Sequence, residues 1–269
     1  MHSSLLSPTK LWRSLLSRSS LVRSEIAAGP GEPLHCDTPA LRNAEIVAVY
    51  LGQRVAGDFY EFLRVGPSRM LFVLLDIAGL RADTREILTA LQRTFRTGGP
   101  RLFAAEDLNE NTAMIELCYE MNGTIMSAGL RSCPAFIGCY NEDLGTLCYA
   151  NAGHTPALLR DDAGISLLRA TGLPLGLFSH TTQSAATCHL VSGAALLGVS
   201  RGIVEAASAT DESQDFGMEG VREAFQRSRR HTAYELCVAM LRAVEEFAPM
   251  ISQRADITTL ALVRHRVRL

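Results

Sequence analysis

The sequence is short of lysine, tryptophan and paired cysteines. Lys10 is the only lysine, so arginine supplies nearly all of the positive charge, and Trp12 is the only tryptophan. The seven cysteines include no CxxC pair, which gives no indication of a zinc knuckle or a disulfide framework. We therefore expect most of the cysteines to be buried free thiols in a reducing compartment.

Two further absences limit the function classes. No apolar run reaches the length of a transmembrane span. The formal net charge of −2 supplies no basic excess for a phosphate backbone, so we expect no nucleic-acid partner. We therefore expect a cytoplasmic protein, or one held peripherally at a membrane.

What is present fits one globular unit preceded by a short segment of different character. The chain has 269 residues, of which 47% are hydrophobic and 20% charged, and this is ordinary for a soluble domain with a sizeable core. Glycine and proline at 29–33 break regular structure and are typical of a linker. We predict a basic amphipathic N-terminal segment with its linker over residues 1–35 and one domain over 36–269.

The N-terminal segment has an amphipathic pattern. Leu11, Leu15 and Val22 can share one face of a helix opposite basic side chains, and no acidic residue precedes Glu25. Three interpretations remain open for residues 1–28. They are a helix that packs on its own domain or on a second copy of the chain, a basic helix at an anionic membrane surface, and a targeting segment.

Residues 56–79 are predicted to form a hairpin with two aspartates at one end. A mixed stretch beginning at Asp58 is followed by turn residues at 66–68 and then by an almost unbroken apolar run from Met70 to Ile77, which is typical of a buried strand. The turn brings Asp58 and Asp76 to the same end of the sheet. Two interpretations follow: strand-end capping, or a divalent metal site with hard oxygen ligands.

The order of the remaining elements predicts the fold class. Strands, two helices, strands, two helices and a final strand favour an α+β fold, a four-layer αββα sandwich of two antiparallel sheets flanked by helices. We predict helices where apolar residues recur at helical spacing, and strands where residues are β-branched or alternate between apolar and polar. The predicted helices are 81–96, 104–121, 216–229 and 232–247, and the further strands are 45–51, 133–140, 147–151, 165–168, 186–191, 194–199 and 257–263.

Several motifs in fixed order carry a family resemblance that covers residues 40 to 266. AGDFYEF and LLDIAG resemble the GGDFYD and GDVSGxG motifs of the metal-dependent PPM protein phosphatases, in their bacterial SpoIIE/RsbU-like branch. The resemblance implies the same αββα sandwich and a dinuclear Mn²⁺ or Mg²⁺ centre that activates water against a phosphoserine or phosphothreonine. Further matching stretches in this order are 144–159, 171–177, 192–206 and 255–262.

The resemblance assigns metal ligands, and two of the four carboxylates are missing. It makes Asp76 the bridging ligand, with Asp58 and the backbone carbonyl of Ile77 on one metal. Arg201 stands where the family has the aspartate of TDG, and Ala255 stands where it has the first aspartate of DD. Asp256, next to Ala255, is a doubtful substitute because neighbouring strand residues point to opposite faces.

Arg201 reverses the charge at the first metal position. We expect it to exclude that ion and to pair with Asp76 or Asp58, in a geometry that suits an arginine fork and a carboxylate, although a side chain pointing to solvent is the simpler alternative. At most one Mn or Mg ion is then expected, or none. His154, in the motif Asn151-Ala152-Gly153-His154, is read as a loop histidine bonded to the backbone, since no acid or nucleophile pairs with it in the sequence.

These residues lead to three function hypotheses. The first is a pseudophosphatase, a regulatory module that binds a phosphoprotein, with a STAS-domain antagonist as the partner that the resemblance implies. The second is a weakly active metal-dependent phosphatase that uses Arg201 as a phosphate clamp. The third is a membrane-surface adaptor that acts through residues 1–28.

Overall fold

The computed structural model describes residues 40–51, 57–77, 81–129, 132–180, 182–211, 213–228, 232–249 and 256–266. The predicted N-terminal segment and Ala255 lie outside these ranges. The strands are β1 (Ala44–Leu51), β2 (Gly57–Arg64), β3 (Arg69–Ile77), β4 (Ala135–Asn141), β5 (Thr146–Ala152), β6 (Ala157–Asp161), β7 (Gly164–Leu168), β8 (Ala186–His189), β9 (Ala195–Val199) and β10 (Ile257–Arg264). The helices are α1 (Arg81–Phe103), α2 (Glu110–Ser127), α3 (Arg201–Val204), α4 (Gly217–Arg227) and α5 (Ala233–Phe247).

The strands form two five-stranded antiparallel sheets. One sheet has the order β1-β10-β9-β6-β7, and the other has the order β2-β3-β4-β5-β8. One core cluster lies between the sheets, a second lies between the β2 sheet and helices α1 and α2, and a third lies between the β1 sheet and helices α4 and α5. The predicted four-layer αββα sandwich is confirmed.

Strand β3 explains why an unbroken apolar run forms a strand here. Phe72 and Leu74 face the other sheet, whereas Leu71, Val73 and Leu75 face the helix layer. Successive strand residues point to opposite faces, so a strand covered on both sides needs apolar residues at every position. Burial of both faces holds the end of β3, and with it Asp76, at a fixed place in the sandwich.

Helix α1 is longer than the sequence predicts. The periodicity indicates an end near Arg96, but the helix continues through two glycines and a proline to Phe103. A Cβ atom on Gly99 would lie 2.9 Å from a methyl carbon of Leu71, so the close approach of helix and sheet requires glycine there. Packing of the fully buried Phe103 outweighs the weak helix propensity of glycine.

Helix α2 starts later than the sequence predicts, at Glu110 instead of Ala104. The side chain of Asn109 caps it by accepting a hydrogen bond from the backbone of Thr112 (3.1 Å). The residues just before the cap are held as a loop, because the guanidinium of Arg69 donates to the carbonyls of Ala105 and Glu106. A local cap and a long-range contact therefore set this helix start.

The cysteines in the described residues are free thiols, as expected. Five are buried, and Cys188 is partly buried. Burial raises the pKa of Cys118 and of Cys237 to about 12, so these thiols are protonated at neutral pH and unreactive. None of the described helices has the length and apolar composition that a membrane span requires.

Candidate functional site

The β2–β3 hairpin brings the two predicted aspartates face to face. Asp58 and Asp76 are direct register partners, and both are buried. The preceding pair is Gly57 and Ile77, and a Cβ atom on Gly57 would lie 2.3 Å from the carbonyl oxygen of Ile77. Glycine is needed there because the Ile77 carbonyl comes close to the neighbouring strand.

The other sheet supplies a hydroxyl to Asp58. Thr258, on β10, donates its side-chain hydroxyl to Oδ2 of Asp58 at 2.7 Å. Ser200 holds Thr258 in place, since its Oγ accepts from the Thr258 backbone N–H (3.0 Å) and its own N–H donates to the Thr258 carbonyl (2.9 Å). The site therefore lies at one edge of the sandwich, where strand ends from the two sheets come together.

Arg201 is placed beside Asp76 by the start of helix α3. Its backbone N–H donates to Oδ2 of Asp76 at 3.1 Å, and its guanidinium Nε lies 3.7 Å from the same oxygen. The same Nε lies 3.7 Å from a carboxylate oxygen of Glu205, one turn further along. The arginine side chain is half exposed, and at 3.7 Å its closest approach is longer than a hydrogen bond, so the contact is looser than the two-nitrogen fork expected from the sequence.

Burial and charge shift the pKa of Asp58 strongly. Removal from water raises it, the negative charge of Asp76 raises it further, and hydrogen bonds from the side chains of Thr258 and Ser200 lower it, with a result of about 7. Asp256, which is also buried, adds a smaller upward contribution. The half-exposed Arg201 does not offset this clustering of acids around Asp58.

The pKa of Asp58 predicts a stability that falls as pH rises. The native carboxyl keeps its proton up to about pH 7, while the unfolded chain releases it near 3.8, so unfolding becomes easier between these values. The whole shift of about three pKa units corresponds to about 4 kcal/mol, and the two units between pH 5 and about pH 7 correspond to about 3 kcal/mol. The variant Asp58→Asn keeps an oxygen that can accept from Thr258 but has no proton to lose. We expect its free energy of unfolding to fall much less between pH 5 and pH 8 than that of the parent, as measured by urea unfolding in EDTA.

The control for this measurement is Asp107→Asn, at an exposed position in the loop before α2. It should retain the pH dependence of the parent protein. His154 acts in the opposite direction, since burial lowers its pKa, but it is present in all three proteins and cancels in the comparison. A pH dependence as steep in Asp58→Asn as in the parent would contradict the prediction.

His154 is a buried histidine bonded to its neighbour. Its Nδ1 lies 3.2 Å from the Thr155 carbonyl and 3.0 Å from the Thr155 hydroxyl, which agrees with the backbone-bonded loop histidine expected from the sequence. The Thr155 hydroxyl in turn donates to the carbonyl of Val199, just before Ser200. Among the described residues, Nε2 of His154 has no hydrogen-bond partner.

The described residues do not fit a dinuclear metal centre. Oδ2 of Asp76 and Oδ2 of Asp58 are already engaged by Arg201 and Thr258. Within the part of the chain that the structure describes, no three carboxylate, imidazole or thiol groups converge as metal ligands do. Asp256 is buried, and Gly202 packs so closely on its backbone that an added Cβ would lie 2.3 Å from the Asp256 carbonyl oxygen.

The site thus combines expected and unexpected residues. Asp58, Asp76 and Arg201 come together, as the sequence predicts, and Asp256 lies nearby. The roles of Ser200 and Thr258 were not predicted, although both lie inside motifs that carry the resemblance. The Thr258 hydroxyl bonds to a residue 200 positions away, and Ser200 and Thr258 are joined through backbone N–H groups, so a sequence pattern shows neither contact.

Comparison with known proteins places the chain in a family. The sequence profile of the family described as Stage II sporulation protein E (SpoIIE) matches residues 67–265. The chain is 23% identical over 212 residues to Protein IcfG of Synechocystis sp., covering 69% of this chain and 32% of the relative. It is 26% identical over 147 residues to the phosphoserine phosphatase RsbP of Bacillus subtilis, covering 53% of this chain and 35% of the relative.

A solved structure supports the same assignment of the fold. The RsbU and RsbW domains of a Mycobacterium tuberculosis protein superpose with a TM-score of 0.66 at 21% identity, over 90% of this chain and 65% of that one. The chain spans about a third of the length of the two curated relatives it matches. Because the family profile covers most of the sequence and the sandwich has the same architecture, the chain belongs to the SpoIIE family and has the PPM (PP2C) phosphatase fold.

Proposed function

We propose that this chain is a regulatory module that binds a phosphorylated protein and has little or no phosphatase activity. The observation that carries the proposal is the contact of Arg201 with Asp76, the carboxylate that bridges two metal ions in the family resemblance. A guanidinium at this place supplies one fixed positive charge where a metal centre would supply several. Without the two cations, no group lowers the pKa of the attacking water, so we expect little hydrolysis.

The electrostatics of the pocket favour recognition over turnover. Two unit charges 4 Å apart interact by about 4 kcal/mol at an effective dielectric constant of 20, so Arg201 opposes a cation next to Asp76 by an amount of that order. The same charge attracts a phosphoryl group. Neither ion pair of Arg201 is as short as a hydrogen bond, since the closest approach to each carboxylate is 3.7 Å. The half-exposed guanidinium can therefore donate to phosphoryl oxygens.

The partner we propose is a phosphoserine-bearing regulatory protein. One relative, RsbP, is named as a phosphoserine phosphatase, and one similar structure combines RsbU and RsbW domains, which supports a role in protein-mediated bacterial signalling. A STAS-domain antagonist carrying phosphoserine is the specific candidate. Such a partner would place its phosphoryl group at Arg201 and keep it there unhydrolysed.

The direct test is the binding of a phosphorylated peptide. We expect a phosphoserine peptide to bind at least about tenfold more tightly than its serine counterpart, and Arg201→Gln to remove most of that difference, because one charge-assisted pair is worth about 1.5–3 kcal/mol. Isothermal titration calorimetry measures both affinities. The same samples, incubated with excess Mn²⁺, should release little or no phosphate.

The matched control is Arg227→Gln. Arg227 also lies 3.7 Å from a glutamate on its own helix and is exposed, but it lies on α4, away from Asp76. Its loss should leave the preference for phosphoserine unchanged. An equal loss in both variants would show that general positive charge, and not the candidate site, binds the peptide.

A weakly active phosphatase is the second candidate, because Arg201 is exposed enough to clamp a phosphoryl group during its transfer. Steady phosphate release by the unmodified chain with Mn²⁺ would favour it over the first proposal.

A membrane-surface adaptor is the third candidate. It depends on residues 1–28, which lie outside the described ranges. Co-sedimentation of the protein with anionic vesicles, with and without this segment, tests it.

A further inference from the structure

The loop between β7 and β8 runs beside the candidate site. Within it, Leu175 pairs with Cys133 through two backbone hydrogen bonds (2.8 and 3.1 Å). The next residue, Pro134, accepts a hydrogen bond from the backbone of Asp76 at 3.0 Å. Neighbouring strands are about 4.8 Å apart, so Leu175 lies about 10 Å from the end of β3.

This loop presents large apolar side chains to solvent. Leu173, Leu177 and Phe178 are 48%, 40% and 56% exposed, although Leu175 between them is fully buried. Helix α2 adds Tyr119 and Met126, which are 45% and 39% exposed. These five residues, here called the rim patch, include most of the large exposed hydrophobic residues in the described part of the chain.

Asn122 joins the loop to α2 and fixes the rim patch. Its Oδ1 accepts from the Gly176 N–H at 2.7 Å, and its Nδ2 donates to the Phe178 carbonyl at 3.2 Å. Gly176 has a φ of +80°, which glycine adopts without strain. Asn122 is buried between Tyr119 and Met126, three residues after one and four before the other, so all three share one side of α2.

Because Asn122 fixes the loop backbone through these two hydrogen bonds, the apolar side chains of the loop stay on the surface. Exposed apolar clusters on soluble proteins mark interaction sites more often than scattered single residues do. The five half-exposed side chains offer roughly 400–500 Å², about half of the ~800 Å² that each partner buries in a standard interface. The rim patch is therefore too small to act alone, and the candidate site beside this loop offers a surface that would complete the interface.

We infer that the rim patch docks the same phosphoprotein that places its phosphoryl group at Arg201, through apolar side chains of that partner. The inference rests on the proposed function and adds a requirement to the partner. Leu175 lies about 10 Å from the end of β3, and its exposed neighbours lie somewhat farther from it. An extended chain advances about 3.3 Å per residue, so it covers about 10–15 Å in three to five residues from the phosphoserine. The carboxylate of Glu116, one turn before Tyr119, disfavours anionic lipid as the occupant.

The experiment is a register scan with phosphopeptides. A phosphoserine in a glycine-serine background is combined with one Leu-Phe pair, which is moved from two to eight residues away on either side. Fluorescence anisotropy should show at least tenfold tighter binding when the pair lies about three to five residues away on one side. Phe178→Asp and Leu177→Asp should return the affinity to that of the peptide without Leu-Phe.

The matched control is Leu144→Asp. Leu144 is 66% exposed in the β4–β5 hairpin, at the opposite end of the same sheet, and its replacement should leave the scan unchanged. No gain from Leu-Phe at any offset, no binding by any peptide, or an equal loss in the control variant would each overturn the inference. Loss of the gain in Phe178→Asp together with an intact phosphate dependence is the expected pattern.

Four further outcomes separate this inference from its alternatives and from the proposed function. Leu-Phe binding that depends on Phe178 but not on the phosphate or Arg201 would sink the proposed function and leave an apolar docking site. Phosphate binding that depends on Arg201 but never on Phe178 would support the proposed function and overturn the docking inference. A dimer that Phe178→Asp converts to a monomer in light scattering, or vesicle binding that it abolishes, would assign the rim patch to another occupant and overturn the inference.

Discussion

Replacing Arg201 and Ala255 by aspartate together is expected to create a metal-dependent phosphatase from a chain that we propose to have little or no activity. The change removes one positive charge and adds two carboxylates at the positions where the family has its ligands. Together with Asp58 and Asp76, the new carboxylates would hold two Mn²⁺ ions, and such a centre would supply an activated water and positive charge for the phosphoryl oxygens. We expect at least about 100-fold more phosphate release from a phosphoserine peptide than from the parent, in excess Mn²⁺.

Metal binding by this double variant also has a readout that does not depend on activity. Clustered carboxylates repel one another without a cation, so the variant should be less stable than the parent in EDTA. Mn²⁺ at 100 times its dissociation constant should then stabilise it by about 2.7 kcal/mol, and the parent by much less. Thermal unfolding with and without Mn²⁺ measures the difference, and metal analysis gives the number of ions bound.

The control is the pair Arg201→Asn with Ala255→Asn, which changes the same positions without adding carboxylates. It should neither bind two ions nor hydrolyse the peptide. Two Mn²⁺ ions bound by the unmodified chain, or none bound by a folded double aspartate variant, would contradict the prediction.

Replacing Arg96 by alanine should cost about 3–5 kcal/mol of unfolding free energy. Arg96, on α1, donates from two nitrogens to Oε1 of Glu61 on β2, at 2.9 and 2.7 Å, and Gln92 donates to the other oxygen. The Glu61 side chain is only 1% exposed, so the loss of its main partner leaves a buried and uncompensated carboxylate. Urea unfolding at neutral pH measures the loss.

The matched control for this prediction is Arg101→Ala, on the same helix. Arg101 pairs with Glu120, but both side chains are substantially exposed, and exposed pairs contribute about 0–1 kcal/mol. The two substitutions remove the same functional group from the same helix, so the difference between them measures burial. Similar small losses in both variants would mean that Glu61 takes up a proton or reaches water when Arg96 is absent.

Much of the site could be predicted from the sequence because its central part is local. Asp58 and Asp76 are joined by a short turn, and in a hairpin the turn determines which residues face each other. Their pairing follows from alternation and turn chemistry alone. The four layers were also predictable, since strands and helices alternate in blocks along the chain.

The parts that the sequence did not predict depend on distant contacts. Helix α1 runs past its predicted end because Gly99 packs on Leu71 in the sheet, and α2 begins late because Arg69 holds the preceding loop. The short strand β6 and the one-turn helix α3 were not predicted, and both are held by neighbouring elements more than by their own propensity. The loose contact of Arg201 likewise depends on where α3 starts, which no periodicity indicates.

Strand β10 lies second in its sheet, between β1 and β9, and its Thr258 bonds to Asp58, which lies 200 positions earlier in the chain. Strand β1 can therefore meet the rest of its sheet only through a strand that the ribosome makes after all the other elements described here. During synthesis the β2–β3 hairpin is complete early, but Asp58 must wait for residues near the end before it gains its hydroxyl partner. An interrupted translation product would thus carry both aspartates of the pocket without the threonine that completes it.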